Sequence, residues 1–206
     1  MRPDAKQAHR RLAAFIGLFL AVHFAAHFAA LRGIAAQDVA LQWGRSVYQI
    51  PILEAVLVLA LSAQIMLGIK LLRRIAKRKR KDFWHWTQFA SGTYLAFFVV
   101  MHTSAAVGTR VLVGLETNFY WAAGTLVLEP LKFGFAPYYV LAVSALAGHV
   151  VAALHFHKPM RWHAPALAIG PLAGLVIILA YGGAFYAIEL PQEHRDYFGA
   201  FPGISD

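Results

Sequence analysis

The chain has 206 residues, of which 59% are hydrophobic and 14% charged, with 19 Lys and Arg against 10 Asp and Glu, and its mean hydropathy is +0.55. A soluble domain of this length has too little interior to hide so much apolar surface, and the same content excludes a disordered chain. The absence of cysteine excludes a disulfide framework, thiolate-held zinc, a self-ligated iron–sulfur cluster and a cysteine nucleophile.

A membrane-spanning helix needs about 20 mostly apolar residues. Five stretches qualify: helix I over residues 12–31, helix II over 48–72, helix III over 84–113, helix IV over 137–156 and helix V over 165–188. No linker or low-complexity tract divides them, so the sequence predicts an all-α integral membrane protein forming one unit over 1–206. Helix I has no small-residue cleavage site after it and reads as a retained span, not a signal peptide. The long connection 114–136 carries Phe119, Tyr120, Trp121, Phe133 and Phe135, which predicts a segment lying on the membrane surface. Trp84, Trp86 and Trp162 suit an interfacial aromatic belt.

The basic residues sort by side. Arg2, Lys6, Arg10 and Arg11 precede helix I, Lys70 and the run within 73–81 join helices II and III, and Lys158 and Arg161 join IV and V. That places 14 of the 19 on one side, while most acids, Asp206 among them, fall on the other. The positive-inside rule then gives a cytoplasmic N-terminus and an external C-terminus, in a multi-pass protein of a bacterial-type inner membrane. The net charge of +9 is a sidedness signal and a lipid-headgroup contact, with docking of a soluble partner as its second use and nucleic acid set aside.

Ionisable residues at membrane depth are costly, and each is a functional hypothesis. His9, His85, His155, His157 and His163 fall at the cytoplasmic interface and His194 in the external tail, and these read as structural. His23, His27, His102 and His149 fall within spans. Counted from Arg10, His27 lies 17 residues in, and counted from His85, so does His102. At about 1.5 Å per residue both stand about 25 Å along parallel helices, where two histidines ligate one haem iron from opposite faces. His23, one turn from His27, is the alternative ligand or a hydrogen-bond partner for a propionate or quinone. The segments Gly17–His27 and Gly92–His102 share the pattern G-x-x-L-A-x5-H. Gln64 of helix II and His149 of helix IV fall in the inner half. Glu54, near the outer end of helix II, is either a proton carrier at a quinone pocket or a carboxylate solvated by headgroups.

Helix II runs from Glu54 through Gln64 to Gly68. Helix III carries Trp86, Gln88, Ser91 and Gly92 ahead of Phe97 and His102, helix I opens Arg10-Arg11-Leu12, and helix IV holds Tyr138, Tyr139 and His149. Together these resemble the single-subunit, five-helix cytochrome b membrane anchors of succinate dehydrogenases and fumarate reductases, over nearly the whole chain. The resemblance implies a four-helix haem-binding bundle of helices I–IV with helix V peripheral. It places an outer haem b on His27 or His23 with His102, and an inner haem on the positions of Gln64 and His149. Gln64 departs from the pattern, since glutamine is a poor haem ligand. His149 is then a five-coordinate ligand, a ligand paired with some other residue, or a hydrogen-bond partner of Gln64. Phe89 also departs from the arginine usual after the helix III glutamine.

The functional expectation is an electron-transfer subunit exchanging electrons with quinone and anchoring flavoprotein and iron–sulfur subunits. The alternative is a non-catalytic accessory or assembly subunit of another membrane complex, with one haem or none. Ser62, Ser91, Ser104 and Ser144 lack a base–carboxylate partner for hydrolysis, and no phosphate-binding glycine loop is present.

Overall fold

The computed structural model describes residues 4–204; Arg2 and Asp206, used in the charge argument, lie outside the described residues. Nine α-helices and no strand occur among the described residues. Helix α1 (Ala5–Ala29) ends in a 3-10 turn (Ala30–Arg32), and α2 (Ile34–Tyr48) follows. Next come α3 (Pro51–Ala76) and α4 (Phe83–Gly108), the latter running into a π turn (Thr109–Val113). The remainder is α5 (Phe119–Val127), α6 (Leu131–His157), the single turn α7 (His163–Ala166), α8 (Ile169–Tyr181) and α9 (Gln192–Gly199). Five segments are long and apolar enough to cross a membrane: Ala5–Arg32, Pro51–Ala76, Phe83–Val113, Leu131–His157 and His163–Tyr181. The protein is an all-α membrane protein.

The spans pack in sequence: α1 on α3, α3 on α4, α4 on α6 and α6 on α8, with α8 closing onto the end of α1. Large side chains such as Leu18, Ile52, Leu59 and Met66 point outward, as a lipid-facing surface requires. The connections at one end carry the basic residues, and this is called the basic end below. The opposite, far end holds the best-packed part of the molecule, where Ala30, Phe119, Ala123, Ile177, Ala180 and Tyr181 are buried together.

Three elements depart from the sequence expectation. Residues 34–48 form a helix, α2, where a loop was expected. Its polar positions (Gln37, Asp38, Arg45) conceal an amphipathic stretch too short to span. Gly33, at φ +116°, makes the corner into it, a conformation that suits glycine, and Gly44 lets α2 close onto Val22 of α1. Within the connection 114–136 predicted to lie on the membrane surface, residues 119–127 form α5, which buries Phe119 and Trp121, while Phe133 and Phe135 belong to α6 and Phe133 is exposed. Asn118 caps α5 by accepting from the Tyr120 and Trp121 amides at 3.0 and 3.4 Å, and Phe119 stacks on Tyr181 with ring centroids 4.7 Å apart. Aromatic content is the same in a membrane belt and in a buried plug, so composition alone does not separate them.

Helix V is shorter than expected and is not a loose outer helix. It stops at Tyr181, before Gly182 and the left-handed Gly183 at φ +82°. Gly170 and Gly174, one turn apart, press against the α6 backbone, so that a Cβ at Gly170 would lie 2.7 Å from the Ser144 Cα and one at Gly174 3.1 Å from the Val140 Cα. This is the small-xxx-small contact by which membrane helices approach closely.

Gly170→Ala is therefore expected to destabilise the α6–α8 contact by about 1–3 kcal/mol, lowering the unfolding midpoint in detergent by roughly 2–10 °C. Gly134→Ala, where a Cβ meets nothing within 4 Å, serves as the control and leaves the midpoint unchanged or raises it. Equal midpoints for the Gly170 variant and the parent would contradict the contact.

Candidate functional site

The span histidines gather in two clusters at different depths. In the far-end cluster, His23 and His27 of α1 meet His102 of α4. The His23 and His102 rings stand 6.0 Å apart, centroid to centroid, at 69°. His27 lies edge-on to His23 at 4.5 Å, with their Nε2 atoms 3.1 Å apart. Its other nitrogen, Nδ1, shares a 2.9 Å hydrogen bond with the Tyr181 hydroxyl. Phe19 stacks on His23 and Phe98 on His102, so each of these two rings is backed by an aromatic face on its own helix.

His102 faces His23, rather than His27 one turn further on, because α1 begins at Ala5 and not near residue 12. Counted from the helix starts, His23 stands 18 residues past Ala5 and His102 stands 19 past Phe83. The early start shifts the register of α1 by about one turn. Next to His102 a cleft of about 140 Å³ opens between α4, α5, α6 and α9, lined also by Trp121, Thr125, Tyr138, Tyr139 and Tyr197.

The basic-end cluster joins His9 of α1, Gln64 of α3, Gln88 and Ser91 of α4, and His149 of α6. His149 does not pair with Gln64. The Gln88 amide nitrogen sits 2.9 Å from both ring nitrogens of His149, and Ser91 Oγ lies 3.3 Å from His149 Nδ1. Gln64 lies against His9 instead, its Nε2 3.5 Å from His9 Nε2. The His9 and His149 rings face each other at 6.3 Å and 70°. His9 was read as an interfacial residue, yet the sequence carried a signal for it. His9 and His23 are 14 residues apart in one helix, which brings them within roughly 40° of the same face.

Three other histidines make packing or capping contacts at the basic end. His155 stacks on Trp84 at 4.0 Å. His163 is buried and accepts the Met160 amide at 3.2 Å, bracing the turn after α6. His85 pairs with Asp82, the cap of α4, at 2.7 Å. Its backbone amide and ring, in that order, hold the Asp82 carboxyl below the usual carboxylate range. Glu54 forms an ion pair with Arg110 from the π turn of α4, which ties α3 to α4 at the far end and keeps the carboxylate outside the cleft beside His102.

Among the described residues, no group of three or more His, Cys, Asp or Glu side chains is placed to share a metal ion. Each cluster instead sets two imidazoles of different helices edge to face, with ring centroids 6.0 Å apart at the far end and 6.3 Å apart at the basic end. No protein-family profile, curated protein or solved structure matches the chain.

His194 of α9 lies outside the spans, fully buried with its ring 5.8 Å from that of Tyr120. Burial pushes its pKa below the ordinary imidazole value, against weaker upward pulls from the Glu116 backbone and the Glu193 carboxylate. The folded form holds this ring neutral, and the unfolded chain takes up a proton near pH 6.5, roughly. The stability that His194 contributes is thus complete above about that pH and is lost as pH falls below it. Lowering the pH from about 7.5 to about 5.5 is expected to speed amide exchange in α5 and α9 while leaving α4 and α6 protected. His194→Gln should remove the pH response; an unchanged response would assign it to other groups.

Proposed function

We propose that this chain is a membrane b-type cytochrome, with a haem held between His23 of α1 and His102 of α4 and electrons exchanged with quinone. The carrying observation is the 6.0 Å separation of these two rings. Two imidazoles bound through Nε2 at about 2 Å to one iron place their ring centres roughly 6 Å apart. A cluster that opposes two neutral nitrogen donors suits a porphyrin iron, which already has four ligands, better than a bare cation that needs three or four from the protein. Haem bound there supplies a one-electron carrier within the hydrocarbon layer.

The chain's own residues have defined tasks in this reading. His23 and His102 hold the iron. His27, steered by the Tyr181 hydroxyl, packs beside His23, and iron on His23 Nε2 would replace the 3.1 Å contact that this nitrogen makes with His27. The cleft beside His102 takes a quinone headgroup, with the hydroxyls of Tyr138 and Tyr139 available as donors, since Thr125 already donates to the Ala122 carbonyl at 2.7 Å. Glu54 is a proton acceptor only if its pair with Arg110 opens. The resemblance to succinate dehydrogenase and fumarate reductase anchors adds the cellular context. That context is a bacterial-type inner membrane with the basic end cytoplasmic, where the basic run within 73–81 would receive flavoprotein and iron–sulfur subunits.

The second reading is an accessory subunit of a larger membrane complex. It draws on α3, whose one buried residue is Ala60, leaving most of that helix to lipid or a neighbour. Co-purification from native membranes separates the two: flavoprotein and iron–sulfur partners support the first, and a different membrane complex supports the second.

Protein purified in detergent is expected to be red, with a Soret band and a b-type α band that sharpens on dithionite. His23→Ala and His102→Ala should each lower the haem content, while His27→Ala leaves it in place with a shifted midpoint potential. A protein that stays colourless after reconstitution with excess haem would overturn the reading.

A further inference from the structure

We infer that the basic-end cluster is a second haem site, with His9 of α1 and His149 of α6 as its two axial ligands. The inference rests on the reading of the chain as a b-type cytochrome. It replaces the ligand position at Gln64 with a residue from a different helix.

Four observations carry it. The first is spacing: the His9 and His149 rings stand 6.3 Å apart, within 0.3 Å of the His23–His102 pair and close to the roughly 6 Å that a shared iron requires.

The second is the tautomer. The Ser91 hydroxyl donates to the Thr87 carbonyl at 2.6 Å, so its oxygen is free to accept the Nδ1–H of His149 at 3.3 Å. In the tautomer with the proton on Nδ1, the lone pair of His149 lies on Nε2, the arrangement usual for a metal-ligating histidine held by an outer hydrogen bond. The Gln88 amide nitrogen lies 2.9 Å from both ring nitrogens, over the ring and off the Nε2 lone-pair axis. The Gln64 amide faces His9 Nε2 at 3.5 Å.

The third is the set of unpartnered polar atoms. Six buried side-chain nitrogen and oxygen atoms lack a hydrogen-bond partner among the described residues, and three of them are His9 Nδ1, Gln64 Oε1 and Gln88 Oε1. Buried polar atoms in hydrocarbon are seldom left unsatisfied, and of these three His9 Nδ1 is the one that haem could satisfy, its N–H donating to a propionate; the two amide oxygens need donors that haem does not carry. The fourth is clearance. A Cβ at Gly92 would come 3.1 Å from His149 Cε1, so glycine there is what seats the ring.

The two sites share a helix. His9 and His23 lie on one face of α1, about 21 Å apart along its axis, and each looks to a partner on a different neighbour, α6 for His9 and α4 for His102's partner His23. One helix thus carries a ligand at each depth, and the redox path from basic end to far end runs along it.

Haem per chain of the purified full-length protein, from the pyridine haemochrome, tests this together with potentiometric titration and low-temperature electron paramagnetic resonance. The expected result is two haems per chain, two potentials and two low-spin signals. His9→Ala and His149→Ala should each halve the haem and remove the same spectral component, while the component lost in His102→Ala remains and shows that the variant is folded. Gln64→Ala should retain both. One haem per chain, indifferent to His9→Ala, would overturn this inference and leave the cytochrome reading standing, as would two haems that both survive His9→Ala. No haem at all would overturn both.

Discussion

Everything in this molecule answers to one constraint: an imidazole placed in hydrocarbon must find its polar partners inside the protein, because there is no water to supply them. The far end shows how much structure one such partner demands. The Tyr181 hydroxyl reaches His27 only because α8 ends at that residue and turns away through Gly182 and Gly183. Phe119 stacks on the Tyr181 ring and fixes its plane, and Phe119 is itself set by the Asn118 cap of α5. The 3-10 turn after α1 is held by Tyr186, which donates to the Ala30 carbonyl at 2.7 Å. A hydrogen bond to a single histidine is therefore underwritten by the best-packed core in the chain.

The basic end is organised by different means. Few large side chains are buried there, and the polar contacts are denser. Trp84, His155 and His163 form a small aromatic group below α4 and α6, while Gln64, Gln88 and Ser91 surround His9 and His149. The consequence is an asymmetric molecule. Its far end is held by stacked rings and buried apolar side chains, and its basic end is held by polar side chains in contact with one another.

The spans and their number were legible from hydropathy alone, because lipid imposes a length and an apolar content that local sequence must meet. The grouping of His23, His27 and His102 was legible from depth. Which of the first two faces His102 was not, because it depends on where α1 starts. Five helical residues ahead of Arg10, with Lys6 among them, do not register as apolar. Gln64 was recognised as a misfit at a ligand position, but its contact with His9 was hidden because His9 falls outside the hydropathy peak. Helices α2 and α5 were missed for opposite reasons: α2 is too polar to resemble a span, and α5 is too aromatic to distinguish a buried plug from a surface segment. The Gly170 and Gly174 spacing was present in the sequence and would have announced the α6–α8 contact.

The arrangement of histidines along α1 also orders events during synthesis. This helix precedes α4, α6 and α8 in the chain, so His9, His23 and His27 are made before the His102, His149 and Tyr181 that face them. His102 follows about 80 residues later, and His149 and Tyr181 later still. At typical elongation speeds the interval between His9 and His149 is on the order of ten seconds. Through that interval the imidazoles of α1 have lipid, water at the interface, or the insertion machinery as neighbours, so the newborn chain passes through a stage in which a span carrying three imidazoles stands without the residues that face them.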